Sequence, residues 1–260
     1  LPDLAPDRLL WEETLPGEER IVVPTRKDVV LFDEAPEMSG TLITEAAIGK
    51  IRDPGCRFIF INLPNVDVVG HIENEAAIIR AVECVDTCAG RIVAEALRAG
   101  ITAIVSADHG TVEKWIYPDG NVDTGHTDSP VPFILASPED GMTLRPDGEL
   151  TDVAPTVLDL LGLPAPAAMT GRSLIASAPG RGGGTAGKRV LVLILDGWGW
   201  SDQTRGNLIA KARTPAMDAL VARWPHTTLL ASGEAVGLPA GSVGNSEAVH
   251  THNPSTISTT

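Results

Sequence analysis

The sequence predicts an α/β domain with a mostly parallel sheet and helices on both of its faces. Three observations support this prediction: short apolar runs rich in β-branched residues, helical stretches between them, and acidic residues directly after several of the runs. Continuous apolar runs of this length are typical of strands covered on both faces. Strands that alternate with helices favour a parallel sheet between helical layers.

Each element has its own signal. Strands are predicted over residues 58–63, 101–106, 131–135 and 190–195. Between the first two, residues 75–99 form a predicted helix that ends at Gly100. Its apolar positions at helical spacing are Ala76, Ile79, Val82, Val85, Ile92 and Val93. Further on, Gly162 ends a predicted helix over residues 153–161, and Thr214 with Pro215 predicts the start of a helix that runs to about Arg223.

Composition narrows the class of partner. The 260 residues are 43% hydrophobic, which is enough for one large α/β domain or two small ones. A net charge of −14 argues against nonspecific binding to nucleic acid or to an anionic membrane. If the substrate is a phosphate ester, bound cations must reverse the local field.

Cysteine usage and the apolar runs indicate a cytoplasmic protein. Three cysteines, Cys56, Cys84 and Cys88, are too few for a disulfide framework, and the chain does not open on a charged-then-apolar signal segment. No apolar run approaches the ~18 to 20 residues that span a bilayer. Cys84 and Cys88 lie four apart on the predicted helix. A ligand pair is one interpretation, but no nearby His or Cys completes a site, so we interpret both as buried helix positions.

The acidic residues after the predicted strands are the strongest functional signal. The carboxyl ends of strands in open α/β sheets are where such folds place their sites. An Asp after a strand is often only a helix cap, and a lone His is often a surface or core residue. Here they recur together, and they join a serine in the motif Gly244-Asn-Ser-Glu247. The set is Asp67, His71, Asp108, His109, His126, Asp196 and Ser246. These are the ligands of a two-metal phosphoryl-transfer site with a serine nucleophile.

The motifs resemble those of the phosphatase domain of cofactor-independent (2,3-bisphosphoglycerate-independent) phosphoglycerate mutases, a branch of the alkaline phosphatase superfamily. The similar segments are residues 16–20, 35–39, 65–71, 107–110, 126–133, 158–162, 169–171, 195–199, 214–218, 225–227, 236–239 and 244–247. The resemblance covers nearly the whole chain. It implies a three-layer, alkaline-phosphatase-like sandwich that acts on a small phosphorylated metabolite.

Residue roles follow from the resemblance. It implies one divalent ion held by Asp67, His71 and His126, and a second held by Asp108, His109, Asp196 and Ser246. Ser246 is implied as the nucleophile, and Asn245 and His250 as candidate substrate contacts. Mn²⁺ is the expected ion, with Zn²⁺ or Mg²⁺ as alternatives. We expect two ions roughly 3.5 to 5 Å apart.

The order of the motifs departs from the family. Residues 1–176 resemble its C-terminal part and residues 189–260 its N-terminal part, joined by a glycine-rich connector over 177–188. The order predicts a single circularly permuted domain whose connector is a mobile loop far from the metals. The first and last residues, Leu1 and Thr260, fall where the family inserts its transferase domain, so the resemblance implies that this domain is absent and that both ends lie near the site.

Substrate choice remains open because residues near the motifs also differ. Thr111 stands where the family has Asn, and Ile72-Glu73 stands where it has Thr-Gly. Three functions remain at this stage. The first is hydrolysis of a phosphomonoester through phosphoserine. The second is interconversion of 3- and 2-phosphoglycerate, which requires a separate chain to supply the transferase domain. Apart from that partner, we expect a monomer. The third is an inactive or engineered metal-binding scaffold.

Overall fold

A computed structural model describes residues 16–178 and 188–244. The helices are α1 (Gly40–Ile51), α2 (Asn65–Gly70), α3 (Glu75–Arg98), α4 (Val153–Leu161), α5 (Leu208–Lys211) and α6 (Pro215–Arg223), with short 3-10 turns at Leu150–Asp152 and Gly233–Val236. The strands are β1 (Phe58–Leu63), β2 (Thr102–Ser106), β3 (Val131–Ala136), β4 (Thr143–Leu144), β5 (Gly148–Glu149), β6 (Ile175–Ser177), β7 (Val190–Leu195) and β8 (His226–Leu230).

The central sheet has the strand order β1-β7-β2-β3-β8-β5, and β4 pairs with β6 separately. Strands β1, β7 and β2 are parallel neighbours, and β5 is parallel to β8. Strand β3 is antiparallel to both of its neighbours, β2 and β8. The chain leaves β2 at its carboxyl end and enters β3 from that same end of the sheet. A mostly parallel α/β sheet is thus confirmed, with β3 as the reversed strand.

Strand β1, at one edge of the sheet, is less buried than the central strands β2, β3 and β7. All residues of β2 and β3 are buried, and β7 is buried except at Ile194, so these strands are covered on both faces. Strand β1 alternates instead: Ile59 and Ile61 are buried, whereas Phe60 is 54% exposed. The expectation that residues 58–63 are covered on both faces is wrong, because β1 lies at the edge of the sheet.

Helix α3 packs against α1 and α2 and against the sheet. Its buried stripe runs through Ala77, Ile78, Ala81, Val82, Val85, Cys88, Ala89, Ile92 and Val93. Ala76 is exposed and Ile79 is only half-buried, so the buried stripe begins with Ala77 and Ile78 instead of the predicted Ala76 and Ile79. Cys88 is buried as predicted, but Cys84 is half-buried. Within the described ranges, no helix combines the length and apolarity that crossing a bilayer requires.

The carboxyl ends of β1, β7 and β2 meet at one edge of the sheet. Leu63 pairs with Leu195, and Ser106 pairs with Ile194, so the three strands end side by side. Asp196 follows β7 directly, and Asp108 follows β2 after one residue. Asp67 lies in the first turn of α2, just after β1. Three acidic side chains are therefore brought to the same edge by strand register alone.

The start of α6 is capped by a residue that sequence analysis did not single out. Pro215 is the first helical residue, as predicted, but the side chain of Thr214 makes no capping hydrogen bond. Instead, the carboxylate of Asp86 on α3 accepts hydrogen bonds from the backbone N–H groups of Ala216 (3.1 Å) and Met217 (2.8 Å). Asp86 is buried, so it satisfies two helix-end donors and ties α6 to α3.

We predict that Asp86→Ala lowers the free energy of unfolding by about 1 to 3 kcal/mol, because it leaves two buried N–H groups unpaired. The measurement is the midpoint of chemical denaturation. Thr214→Ala is the matched control and should change stability by no more than about 0.5 kcal/mol. Equal losses in the two variants would show that Asp86 is not the functional cap.

Candidate metal centre

Three ligand atoms form a first group at the edge of the sheet. Oδ1 of Asp67 lies 3.2 Å from Nε2 of His71 and 3.1 Å from Nε2 of His126. The two Nε2 atoms are 3.3 Å apart. Asp67 and His71 are one turn apart at α2, as the four-residue spacing predicted. His126 lies in the long connection between β2 and β3. This is the first predicted ligand set, brought together by two separate segments.

A second group surrounds the buried His109. Its Nε2 lies 3.5 Å from Oδ2 of Asp108, 3.5 Å from Oδ1 of Asp196 and 3.8 Å from Oδ1 of Asp67. Asp67 therefore stands between the two groups, whereas sequence analysis assigned it to the first alone. The donor atoms of Asp67, His109 and Asp196 lie within 4.8 Å of one another, as do those of the first group.

Each of the three imidazoles is oriented by a backbone carbonyl oxygen. Nδ1 of His71 lies 2.6 Å from the oxygen of Thr124, and Nδ1 of His109 lies 3.2 Å from that of Gly110. Nδ1 of His126 lies 2.9 Å from the oxygen of Gly244. A carbonyl only accepts, so each Nδ1 carries the proton when the ring is neutral. Nε2 is then left with a lone pair that faces the carboxylates, as a metal ligand requires.

The loop after β7 approaches α2 closely. The N–H of Asp67 donates to the carbonyl of Asp196 over 3.1 Å. Gly197 has a φ of +80°, and a Cβ there would lie 2.8 Å from the backbone of Asp67. Only glycine fits this turn without strain. The N–H of Gly197 also donates to Oδ1 of Asp108 over 3.3 Å, which links the loop after β7 to the loop after β2.

Electrostatics distinguish the carboxylates of the cluster. Burial and the neighbouring Asp108 raise the pKa of Asp196 to about 8, against the hydrogen bond that it accepts from Asn62. Burial also opposes ionisation of Asp67, but the hydrogen bond with His126 and the charges of the nearby histidines outweigh it and lower the pKa of Asp67. The hydrogen bond to Asp67 raises the pKa of His126.

The donor set fits a pair of divalent cations. Oδ1 of Asp196 is buried and has no hydrogen-bond partner within the described part of the chain. A buried carboxylate oxygen left in this way is destabilising unless a cation or proton compensates it. Carboxylate and imidazole donors together suit Mn²⁺ or Zn²⁺, and hard oxygen donors also admit Mg²⁺. The residues present therefore fit the predicted metals.

The predicted nucleophile lies beyond the described residues. Ser246, Asn245 and His250 all fall outside 16–178 and 188–244. The serine motif begins at Gly244, which is described, and its carbonyl oxygen holds His126. A Cβ on Gly244 would lie 3.5 Å from Cβ of His109. The first residue of the motif thus contacts His126 and lies near His109.

Comparison with known proteins identifies the family. The model of the Metalloenzyme superfamily matches residues 9–165 and 188–257. The chain belongs to the Metalloenzyme superfamily. Membership of this superfamily implies binding of divalent metal, in agreement with the carboxylates and imidazoles that meet at the edge of the sheet.

Individual relatives within the superfamily are phosphoglycerate mutases. The chain is 45% identical over 176 residues to the 2,3-bisphosphoglycerate-independent enzyme of Thermosynechococcus vestitus, covering 65% of this chain and 33% of that protein. It is 44% identical over 165 residues to that of Syntrophotalea carbinolica, covering 63% and 32%. The crystal structure of Leishmania mexicana phosphoglycerate mutase at low cobalt concentration aligns with a TM-score of 0.51 and 31% identity, over 60% of this chain and 31% of that one. The chain thus spans about a third of the length of these relatives.

Glu113 is a site residue that sequence analysis missed. Its buried carboxylate accepts hydrogen bonds from the N–H of Thr111 (2.9 Å) and from the hydroxyl of Thr127. A Cβ on Gly110 would lie 2.5 Å from its Oε1, and one on Gly199 would overlap the same carboxylate. The loops that carry His109, His126 and Asp196 therefore converge on this one group. The available signal was an acidic residue directly after the apolar Val112, close behind the Asp108-His109 pair.

We predict that Glu113→Ala weakens Mn²⁺ binding by about 10- to 100-fold, as loss of a group that orients ligands does. Glu113→Gln should retain most of the affinity. Its amide oxygen can accept from Thr111, and its NH₂ group can donate to the oxygen of Thr127. The measurement is a titration of the metal-free protein with Mn²⁺.

Asp86→Ala is the control for this pair of variants, because it also removes a buried carboxylate that accepts backbone N–H hydrogen bonds but lies outside the ligand loops. It should lose stability and keep Mn²⁺ affinity. Wild-type Mn²⁺ affinity in Glu113→Ala, with reduced stability only, would show that Glu113 supports the fold without positioning the ligands.

The pKa of Asp196 predicts the pH dependence of metal binding. A pKa of about 8 means that Asp196 holds its proton below that pH in the metal-free protein, and a cation must displace it. Mn²⁺ affinity should therefore rise with pH up to about pH 8 and then level off. Calorimetry near pH 7 in two buffers of different ionisation enthalpy should detect the released proton. Asp196→Asn should release about one proton fewer, and an enthalpy independent of buffer in both proteins would contradict the prediction.

Proposed function

We propose that this chain carries out metal-dependent phosphoryl transfer through a phosphoserine at Ser246, and that it hydrolyses a small phosphomonoester. One observation carries the proposal. Two carboxylates and three carbonyl-oriented imidazoles form two ligand groups that share Asp67, with the carboxylate of Asp108 3.5 Å from Nε2 of His109. The serine motif begins at Gly244, whose carbonyl oxygen holds His126. Homology to phosphoglycerate mutases supports the same chemistry.

Two sets of side chains would hold the cations. The first set is Asp67, His71 and His126, and the second is Asp108, His109 and Asp196 with Ser246; Asp67 is near enough to contribute to both. Bound divalent ions lower the pKa of a coordinated serine hydroxyl and neutralise charge on the transferring phosphoryl group. Mn²⁺ is the proposed ion. The Nδ1 hydrogen bonds then keep each ring in its ligand orientation throughout the cycle.

The reaction has two displacements at phosphorus. Oγ of Ser246 loses its proton and attacks phosphorus, and the bond from phosphorus to the ester oxygen breaks, so that the alcohol leaves with a proton from solvent. Water then attacks the phosphoserine, the bond from phosphorus to Oγ breaks, and inorganic phosphate leaves while the serine regains a proton. Two in-line steps of this kind leave the enzyme unchanged.

The unequal exposure of the two groups indicates how substrate enters. The side chain of His71 is 44% exposed, whereas that of His109 is fully buried. A phosphate ester would therefore approach from the His71 side and water can follow the same route. Asn245 and His250 are the proposed contacts of the ester group, since both flank Ser246 in the sequence.

A second candidate function is interconversion of 3- and 2-phosphoglycerate. The specific observation in its favour is that the relatives at 44 to 45% identity carry the name phosphoglycerate mutase. Return of the phosphoryl group to a different hydroxyl requires groups that bind and reorient the glycerate. These would come from a transferase part, either in the same polypeptide or in a separate chain. Without such a part, water is the expected acceptor.

The proposal includes a permuted order of the phosphatase domain. Strand β7, which comes late in the chain, inserts between β1 and β2 and supplies Asp196 to their common edge. The two segments that match the Metalloenzyme superfamily flank the glycine-rich connector, most of which lies outside the described residues. Both observations fit a single domain whose two parts, residues 1–176 and 189–260, are joined in reversed order.

We predict that Ser246→Ala abolishes release of phosphate from p-nitrophenyl phosphate and from the two phosphoglycerates, because no other hydroxyl of the motif can take the phosphoryl group. The fold and most of the Mn²⁺ affinity should remain. Intact-mass analysis of the wild type after rapid acid quenching should detect one phosphoryl group, and the variant should carry none. Ser242→Ala, four residues earlier, is the matched control and should keep wild-type turnover.

Other results of this assay have clear meanings. Wild-type turnover in Ser246→Ala would make water the direct nucleophile and overturn the serine mechanism. Conversion of 3-phosphoglycerate to 2-phosphoglycerate by this chain alone, detected in an assay coupled to enolase, would favour the mutase function. Binding of Mn²⁺ with no turnover on any ester would leave a metal-binding scaffold and refute the proposed activity.

A further inference from the structure

Two cysteines of α3 lie against the start of α1, in a part of the fold that the proposed phosphoryl transfer does not use. Cys84 and Cys88 lie one turn apart on α3. The Sγ atom of each lies 3.5 Å from the position that a Cβ on Gly40 would occupy at the start of α1. The two sulfurs therefore lie around one point above the backbone of Gly40, which has no Cβ to separate them.

A third donor atom lies equally close to the same point. Oδ1 of Asn65 also lies 3.5 Å from the Cβ position on Gly40. Asn65 is fully buried, and its amide nitrogen donates to the carbonyl of Pro36 over 2.9 Å. Its oxygen has no hydrogen-bond partner in the part of the chain that the structure describes. An unpaired buried acceptor is uncommon in native proteins and calls for a ligand or other explanation.

The two thiols are chemically unequal. The hydrogen bond from Cys84, with contributions from the Thr44 hydroxyl and the charge of Arg91, lowers the pKa of Cys88 to about 6 despite its burial. The same hydrogen bond raises the pKa of Cys84, which therefore keeps its proton. Cys84 is half-buried, so a reagent can reach the pair from solvent. One ready thiolate beside one accessible thiol favours stepwise capture of a sulfur-seeking ion.

We propose that Cys84 and Cys88 form a binding site for a thiophilic metal ion or trivalent metalloid that takes two sulfur ligands, with Oδ1 of Asn65 as a third donor to a metal ion. A disulfide is the less suitable product. It needs Cβ atoms about 3.5 to 4.5 Å apart, whereas one helical turn separates them by about 5 to 6 Å. An ion between the sulfurs bridges that gap. The site lies behind α2, whose far side bears Asp67, and it contains the donors that the carboxylate cluster lacks.

Phenylarsine oxide is the sharpest probe, because trivalent arsenic bonds to paired thiols and not to carboxylates or imidazoles. In the reaction two arsenic–sulfur bonds form, the arsenic–oxygen bond breaks, and the oxygen leaves as water with the two thiol protons. Arsenic keeps its oxidation state, so no oxidant is needed. The protein is treated in its Mn²⁺-loaded form, and bound arsenic is counted by intact mass after excess reagent is removed.

We expect one phenylarsenic group per wild-type chain. Cys84→Ser and Cys88→Ser should each bind it at least about 100-fold more weakly, because the second sulfur bond is intramolecular in the wild type. Cys56→Ser is the matched control and should bind as the wild type does. Circular dichroism checks that the variants are folded. Equal affinity in Cys84→Ser or Cys88→Ser, or loss of the adduct in Cys56→Ser, would overturn the proposal.

A second measurement tests metal ions and is independent of enzyme activity. Cd²⁺ is added to protein already saturated with Mn²⁺, and the sulfur-to-cadmium charge-transfer band is followed in the ultraviolet. The wild type and Cys56→Ser should develop the band at one equivalent, and Cys88→Ser should lack it. A band of equal strength in Cys88→Ser would contradict the site. Since neither readout depends on turnover, this proposal and the phosphoryl-transfer proposal can fail separately.

Discussion

The repulsion among three buried or partly buried carboxylates is the constraint on which the site depends. Strand register brings Asp67, Asp108 and Asp196 around one imidazole, that of His109. Like charges this close are strongly unfavourable away from water. In the metal-free chain, two features reduce this repulsion: the pKa of Asp196 is raised to about 8, which favours its protonated form, and histidines lie beside Asp67. Divalent cations would compensate the same charges more completely.

Holding these charges together requires a scaffold that does not relax. The candidate ligands sit on α2 and on loops rather than within strands, yet these loops are held by specific contacts. Gly197 brings the loop after β7 against α2, and the carbonyl of Gly244 fixes His126. The carboxylate of Glu113 accepts hydrogen bonds from Thr111 and Thr127 and so links their two segments. Preorganisation of this kind keeps the candidate ligands in place before a metal arrives.

Local signals predicted four of the eight described strands and three of the six described helices, but they did not predict distant contacts. The bounds of β1, β2, β3 and β7, the end of α4 at Gly162 and the start of α6 at Pro215 follow from residue patterns that act within a few positions. Strand β8 of the central sheet was not predicted. The edge position of β1 and the cap from Asp86 depend on which segments become neighbours. Asp67, Asp108, His109 and Asp196 were predicted as candidate ligands from their residue types and places after strands. His71 was predicted from its four-residue spacing to Asp67, and His126 from the resemblance. Glu113 was missed because its role exists only where three loops meet, and Ser246 stays a prediction.

The most direct test of the account is anomalous diffraction from crystals soaked in Mn²⁺. The account predicts two manganese peaks roughly 3.5 to 5 Å apart. One should contact His71 and His126, the other should contact Asp108, His109 and Asp196, and Asp67 should lie within reach of both. A single peak at one of the two positions would remove the two-metal centre. No peak at this edge of the sheet, in crystals that bind manganese elsewhere, would contradict the account as a whole.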